Sequence, residues 1–397
     1  VKHINFRRVF VAAGLTALLL VYVILWLRMI SSPAERTGAD FIAFYAAGRI
    51  AYSGNWTDVF SPQVQIVQEE QVIGFSIPPD DLAPFVHPPL LLPILAAISS
   101  LSYIAAFQVW AIILLILYFF SAWILLKVVP RVRNRKILFA SVILFFPAFV
   151  SILNGQDTAL LLLGAVLWLY GLLAEDDRIA GIGLALTTIR PQVALLLALP
   201  FLFKRRKVWF WFLGSATVLV AFSLLQIGFH GTQSFLHILG ISASGEGYKT
   251  NEISMLNILG MLLRLFPGIS SGFVRFVGWI IFACASVFLC VIWVRSERIT
   301  EKHIGLATII AMFAAPHLHY HDLTLILIPI FCLILMLTQR GLIGIKTASL
   351  LPLGISWLLV LSNSLPALKY TVPYLLGLFL GIALWYPEFF FRRQIDA

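Results

Sequence analysis

Residues 103–127 read YIAAFQVWAIILLILYFFSAWILLK, twenty-four positions without a charge and then a lysine. A helix rises about 1.5 Å per residue, so this stretch covers roughly 36 Å, more than the ~30 Å hydrocarbon core of a bilayer. Comparable apolar runs occupy 9–27, 137–153, 157–174, 208–229, 272–295, 303–316, 322–338, 347–362 and 370–387. Of the 397 residues, 60% are hydrophobic and 12% charged, against about 45–50% and about 25% in soluble domains. Mean hydropathy is +0.96. These values exclude a soluble enzyme, a disordered chain and a nucleic-acid-binding domain. The expected fold is an all-α polytopic membrane protein, one integral domain over 1–397 with about 11–13 membrane segments.

The net charge of +10 arises from 28 Lys and Arg against 18 Asp and Glu. In a soluble protein it would point to an anionic partner. Here the basic residues gather at Lys2/Arg7/Arg8, Lys127–Lys136, Lys204–Lys207, Arg295–Lys302, Arg340–Lys346 and Arg392/Arg393. The positive-inside rule makes those groups, and the N-terminus, cytosolic. Most apolar runs then fall in pairs between successive groups. Two helices at 88–101 and 103–127 would give three crossings between the first two groups, and a re-entrant 88–101 removes the conflict. Between Ile179 and Phe203 two short apolar halves meet at Arg190-Pro191, the pattern of a broken pair or a re-entrant hairpin. The first run lacks a small-residue cleavage site and is read as a retained span. Cys284, Cys290 and Cys332 lie in apolar runs without paired or metal-ligand spacing.

The segments left facing outward are 28–87, 154–157, 190–192, 230–271, 317–321 and 363–369. The first carries Glu35, Asp40, Asp58, Glu69, Glu70, Asp80 and Asp81 against Arg36 and Arg49, the balance of an external loop. It opens with an apolar helix starting at Asp40. A turn at Ser53-Gly54-Asn55 follows. Thr57–Phe75 then spaces Val59, Phe60, Val64, Val67 and Ile73 as a surface-lying amphipathic helix would. Pro78-Pro79, Pro84 and His87-Pro88-Pro89 stiffen its exit. Residues 253–266 predict a second surface helix.

Four constellations carry chemistry. Asp40 sits on an apolar segment beside three aromatics, where partial desolvation suits a general base, though the helix dipole alone favours an Asp there. Arg190-Pro191-Gln192 places a guanidinium inside an apolar hairpin at a cost of roughly 2.5–3.5 kcal/mol, which predicts a cavity or an anion beside it. His317, His319, His321 and Asp322 alternate at a helix boundary. Lacking a further acid or His partner nearby, they read as a phosphate or sugar site sooner than as a metal site. Asn154-Gly155-Gln156-Asp157 is a solvated turn or part of a site. Lys249 and Asn251 are candidate ligand contacts in the second large loop. Gly181-x-Gly183 has no third glycine or preceding strand and is no dinucleotide fingerprint. Lys204–Lys207 is a topology signal, not a nucleic-acid patch.

Taken in order, Asp40-Phe41-x-x-Phe44-Tyr45-x-Ala47-Gly48, His87-Pro88-Pro89, Asn154-Gly155-Gln156, Ala180-Gly181 leading to Arg190-Pro191-Gln192, and Ala315-Pro316-His317 before Tyr320-x-Asp322 resemble the GT-C superfamily of membrane glycosyltransferases. Locally they are similar to glycosyltransferase family 87, which includes polyprenol-phosphate-mannose-dependent mannosyltransferases. The family pattern carries Tyr in place of His87 and Lys in place of Arg190, and its Asn-x-Ser stretch is approximated by Asn251-Glu252-Ile253-Ser254. The resemblance implies a GT-C-type bundle in the inner membrane of a prokaryote. It implies transfer of a sugar, mannose first, from a polyprenyl-phosphate donor to a glycolipid or glycan acceptor on the outer face. Asp40 would be the general base, and Arg190, Gln192, His317, His319, His321 and Asp322 would meet the donor phosphate and sugar. Tyr45, His87, Asn154, Gln156, Lys249 and Asn251 would be acceptor or loop contacts. No metal or cofactor is implied. Two other classes stay open: a lipid or oligosaccharide flippase or transporter, which would show inverted repeats, and an O-antigen ligase or polymerase, with key residues in a large late loop.

Overall fold

The computed structural model describes residues 6–31, 39–129, 135–244, 252–341 and 348–391, and every regular element among them is helical. In chain order these are α1 (Phe6–Ser31), α2 (Phe41–Tyr52), α3 (Pro62–Ile73), α4 (Leu92–Ile98), α5 (Tyr103–Val128), α6 (Arg135–Ile143), α7 (Phe146–Asn154), α8 (Thr158–Leu173) and α9 (Asp177–Leu186). They continue with α10 (Pro191–Ala198), α11 (Arg206–Ser244), α12 (Ile258–Leu265), α13 (Ser271–Arg295), α14 (Glu301–Ala314), α15 (Leu327–Gln339), α16 (Leu351–Asn363), α17 (Pro366–Trp385) and α18 (Pro387–Phe390).

Among the described residues, seven helical stretches are long and apolar enough to cross a membrane: Val9–Ser31, Tyr103–Val128, Arg135–Asn154, Arg206–Ile241, Ser271–Arg295, Tyr320–Gln339 and Pro366–Trp385. Pro89–Ile98, Thr158–Leu173, Pro191–Leu202 and Leu351–Asn363 are apolar but shorter. The chain is an all-α polytopic membrane protein. The apolar segments number about as many as the sequence predicts, but helix length makes only seven of them full spans. Pro89–Ile98 covers about 15 Å, half a hydrocarbon core. Among the described residues, only α1 and α5 are then long enough to cross between the first two basic groups.

Packing follows from which helices carry apolar residues all round. Every residue of α15 from Leu327 to Leu337 is buried, making it the centre of the bundle. The peripheral helices α11 and α13 turn Phe210, Leu225, Phe229, Phe273 and Phe276 outward, which suits lipid as solvent. Helix α2 is buried from Phe41 to Gly48 and lies on α4. A Cβ at Gly48 would stand 2.5 Å from the Leu95 carbonyl oxygen, so no larger residue fits that crossing.

Two local expectations are corrected. The 208–229 run does not end there: after a break at Gly228 (φ 66, ψ −172) the helix continues to Ser244, so the segment expected as the second large loop opens as helix. Gln226, His230, Thr232 and Gln233 dilute the hydropathy there without ending the helix. The segment 57–75 forms an α-helix only from Pro62; Val59 and Phe60 before it are buried as expected, but the buried residues of α3 itself are Gln65 and Glu69, whereas Val67 faces out. The Gln65 amide donates to the Val59 carbonyl (2.7 Å) and accepts from the Phe85 N–H (2.9 Å), while Glu70 accepts from the Ile77 N–H (2.8 Å). Irregular backbone leaves these groups unpaired, so polar side chains are needed inward.

Candidate active site

Helix α7 ends at Gly155 in the left-handed region (φ 77), a conformation glycine adopts without strain. A Cβ there would also stand 2.6 Å from the Cβ of Phe41. The chain turns against the start of α2, where the Asp40 N–H donates to the Asn154 carbonyl (3.1 Å). From α5, the Trp110 indole N–H pins the Gly155 carbonyl (2.8 Å). Gln156 is thereby set beside Asp40, and its Nε2 donates to Asp40 Oδ2 at 2.9 Å.

Arg190 arrives from the break between α9 and α10. A 3-10 turn at Thr187–Ile189 ends α9, and Pro191, lacking an N–H, opens α10. The Arg190 side chain is almost wholly buried and reaches two carboxylates. Its Nη2 lies 3.1 Å from Asp157 Oδ1 and its Nε 3.4 Å from Asp322 Oδ1. Nη2 also donates to Gln156 Oε1 (3.4 Å), and Nη1 donates to the Ile189 carbonyl (3.3 Å) and touches His87 Nδ1 (3.2 Å). His87 Nδ1 is closer to Asp157 Oδ2, at 2.9 Å. A carboxylate at that distance favours the tautomer of His87 that carries its proton on Nδ1. Its ring lies over Phe44, centroids 4.5 Å apart. Burial opposes ionisation of Asp157, but Arg190 and His87 outweigh it and hold the carboxyl below the ordinary range.

The third wall is the segment 315–322. Asp322 Oδ2 accepts from the His319 N–H (3.0 Å) and lies 3.7 Å from His321 Nε2. The His317 and His319 rings meet edge to face at 4.6 Å, and His319 and His321 lie 5.7 Å apart. Gln192 Nε2 donates to the His317 carbonyl (3.3 Å). Burial pushes His317 down to about 3 and His319 to about 4, assisted by neighbouring histidines, so both rings are neutral N–H donors at pH 7. Among the described residues no group of three or more His, Cys, Asp or Glu is disposed to hold a metal ion.

Asp40, His87, Gln156, Arg190, Gln192, His317, His319, His321 and Asp322 thus come together from five separate segments, and Asn154 joins through its backbone. Tyr45 does not: it is buried and its hydroxyl donates to the Leu101 carbonyl (2.8 Å), riveting α2 to the turn before α5. Lys249 and Asn251 lie outside the described residues. Arg190 directs its N–H groups at the chain's own acceptors, which satisfies a buried guanidinium without a bound anion.

Sequence reasoning missed the role of Asp157. A carboxylate between two apolar runs needs a buried cation, and Arg190 is the other charge in the same predicament. Ser254 and Asn257 were also missed. Ser254 Oγ lies 3.4 Å from His319 Nδ1. Fully buried Asn257 donates to the Ala315 carbonyl (2.8 Å) and caps α12 by accepting from the Gly260 N–H (2.9 Å). The Leu256 N–H meets the Leu318 carbonyl (2.9 Å). Together they dock the start of α12 onto the histidine segment.

No curated protein matches the chain. The family model for glycosyltransferase family 87 matches residues 85–316, more than half of the sequence. That region contains His87, Asn154, Gln156, Asp157, Arg190, Gln192, Ser254 and Asn257, with Asp40 before it and His317–Asp322 immediately after. A family match of this extent, on a membrane-embedded helical bundle, identifies the chain as a membrane glycosyltransferase that belongs to glycosyltransferase family 87.

Proposed function

We propose that this glycosyltransferase moves a sugar, mannose in the first instance, from a polyprenyl-phosphate donor to a glycolipid or glycan acceptor at the external membrane face. Asp40 is the general base. It takes the proton of the acceptor hydroxyl as that oxygen attacks the anomeric carbon. The bond from the anomeric carbon to the phosphate oxygen breaks, its electron pair leaves with polyprenyl phosphate, and the sugar inverts.

The observation that carries this reading is the division of labour among three carboxylates. Asp157 and Asp322 face Arg190 and are buried. Asp40 is partly exposed, shows no ion pair among the described residues, and is held by an amide. Only a carboxylate free of a tight cation is basic enough to accept a proton, and only an exposed one meets an acceptor. The phosphate leaving group needs donors that do not have to be pulled from other partners. The neutral rings of His317 and His319, whose side chains face no carboxylate within ion-pair distance among the described residues, fit that need better than Arg190, which acts as the organiser of the site. Gln192 stays with the donor side through its contact to His317.

The test uses membranes carrying the wild type or Asp40→Asn, radiolabelled polyprenyl-phosphate sugars and a glycolipid extract. The wild type is expected to transfer label and the variant to be at least ~10²-fold slower. Equal rates overturn the role of Asp40. Transfer from a nucleotide sugar but from no polyprenyl-phosphate sugar overturns the donor class.

A further inference from the structure

Gln156 connects two opposite charges. One end of its amide donates to Asp40 Oδ2 at 2.9 Å, and the other accepts from Arg190 Nη2 at 3.4 Å. The two ends are not interchangeable. Turned by half a rotation, the amide would set its carbonyl against a carboxylate and its NH2 against a guanidinium, losing both bonds. Arg190 cannot turn to follow, because Asp157 and Asp322 hold its Nη2 and Nε.

The Gln156 backbone is fixed as well. Its N–H donates to the Ser151 carbonyl (2.9 Å). Its carbonyl accepts from Ser151 Oγ (3.1 Å), which also bonds Thr158 Oγ1 (3.0 Å). The side chain is therefore held from below and at both tips.

We infer that Gln156 is the positioning residue of the transfer reaction: locked by Arg190 through the buried Asp157–Arg190–Asp322 cluster, it grips Oδ2 of Asp40 and aims Oδ1 at the acceptor hydroxyl. The inference rests on the reading of Asp40 as general base. Among the described residues Oδ1 has no hydrogen-bond partner, which leaves it for substrate. The relay explains why a site for an anionic donor spends the buried Arg190 on its own carboxylates. Asp157 and Asp322 occupy Nη2 and Nε and so keep Arg190 from pairing directly with Asp40, which would take away the base. An amide between them passes on the orientation and stops the proton-accepting oxygen from being neutralised.

The experiment compares rate–pH profiles of transfer from a polyprenyl-phosphate sugar by the full-length protein in membranes. Gln156→Glu keeps an oxygen for Arg190 and replaces the NH2 facing Asp40 by a second carboxyl oxygen. Among the described residues, the other charged or titratable groups around Asp40 are His319 and His321 from segment 315–322, and Arg190, Asp157 and His87 behind Gln156; all are left in place. Transfer at neutral pH is expected to fall about 10²-fold. The acidic limb of kcat should move up by about one pH unit or more, since a neighbouring carboxylate disfavours a second ionisation, while donor KM changes less than about threefold. Gln156→Asn, one methylene too short to reach both partners, should lose kcat with its acidic limb unmoved, and it carries the test if the Glu variant does not fold. An unshifted limb with a wild-type rate in Gln156→Glu, or a wild-type rate in Gln156→Asn, overturns the relay. If Asp40→Asn is inactive in the same membranes, the base itself stands. Full activity of Asp40→Asn removes the base and the relay together.

Discussion

At the scale of single residues, the site turns on how a guanidinium is stabilised away from water. Arg190 is 7% exposed and lies within 3.4 Å of both Asp157 and Asp322. Removing one member of a buried charge set is costly because the others are left without compensation, typically about 3–5 kcal/mol. Arg190→Met keeps the unbranched stem of the side chain but abandons two buried carboxylates. It is expected to lower stability by about that amount, read as a large drop in Tm in detergent micelles and a low membrane yield. A variant as stable as the wild type would show that Asp157 and Asp322 are protonated or hydrated and that no ion cluster organises the site. His87 then completes the set by giving Asp157 its second partner.

At the scale of elements, the helix boundaries that matter were legible and the pairings between them were not. Arg190-Pro191 and His87-Pro88-Pro89 announce their breaks through proline, whose missing N–H ends one helix and suits the first turn of the next. The partner of Arg190 is not readable locally. Asp157 is 33 residues away (190 minus 157), and only the antiparallel packing of α8 on α9 brings the start of one helix to the end of the other. The inward polar face of α3 escaped for the same reason: Gln65 and Glu70 answer backbone groups at Val59, Phe85 and Ile77, not a local period. Gly155 was visible as a turn, yet its second duty, close approach to Phe41, was not. That duty gives a prediction. In Gly155→Ala the new Cβ meets Phe41 at 2.6 Å in a backbone region disfavoured for alanine, so α2 must move away from α7. Asp40 moves with it relative to Gln156. The expected outcome is a kcat lower by about 10²-fold with a much smaller change in donor KM, measured in the radiolabel assay. A loss confined to KM would place Gly155 in donor binding instead.

At the scale of the whole molecule, two of the helices that end at the site are short. α8 has 16 residues and α14 has 14, about 24 and 21 Å, whereas a hydrocarbon core is ~30 Å. Helices α5 and α13, with 26 and 25 residues, are long enough to cross it. By length alone, α8 and α14 fall short of a hydrocarbon core that α5 and α13 can cross. The ends of these same helices away from the site lead to Lys127, Glu175, Lys204–Lys207, Arg295 and Lys302, and Lys204 Nζ donates to the Glu297 carbonyl at 3.0 Å, joining two of the basic groups. Because the basic ends gather opposite the site, the positive-inside rule orients the whole bundle at once: a wrong assignment would invert every loop together, not one of them. The orientation is therefore open to a two-position measurement in right-side-out vesicles. With Cys284, Cys290 and Cys332 replaced, a single cysteine is placed either at Asn55, exposed after α2, or at Glu175, exposed in the turn between α8 and α9. A membrane-impermeant maleimide is expected to label position 55 directly and position 175 only after the vesicles are opened. The reverse pattern would put Asp40 and the histidines on the cytosolic side, in reach of soluble sugar nucleotides and away from an external acceptor. Equal labelling of both would mean that the acidic and basic ends do not lie on opposite faces.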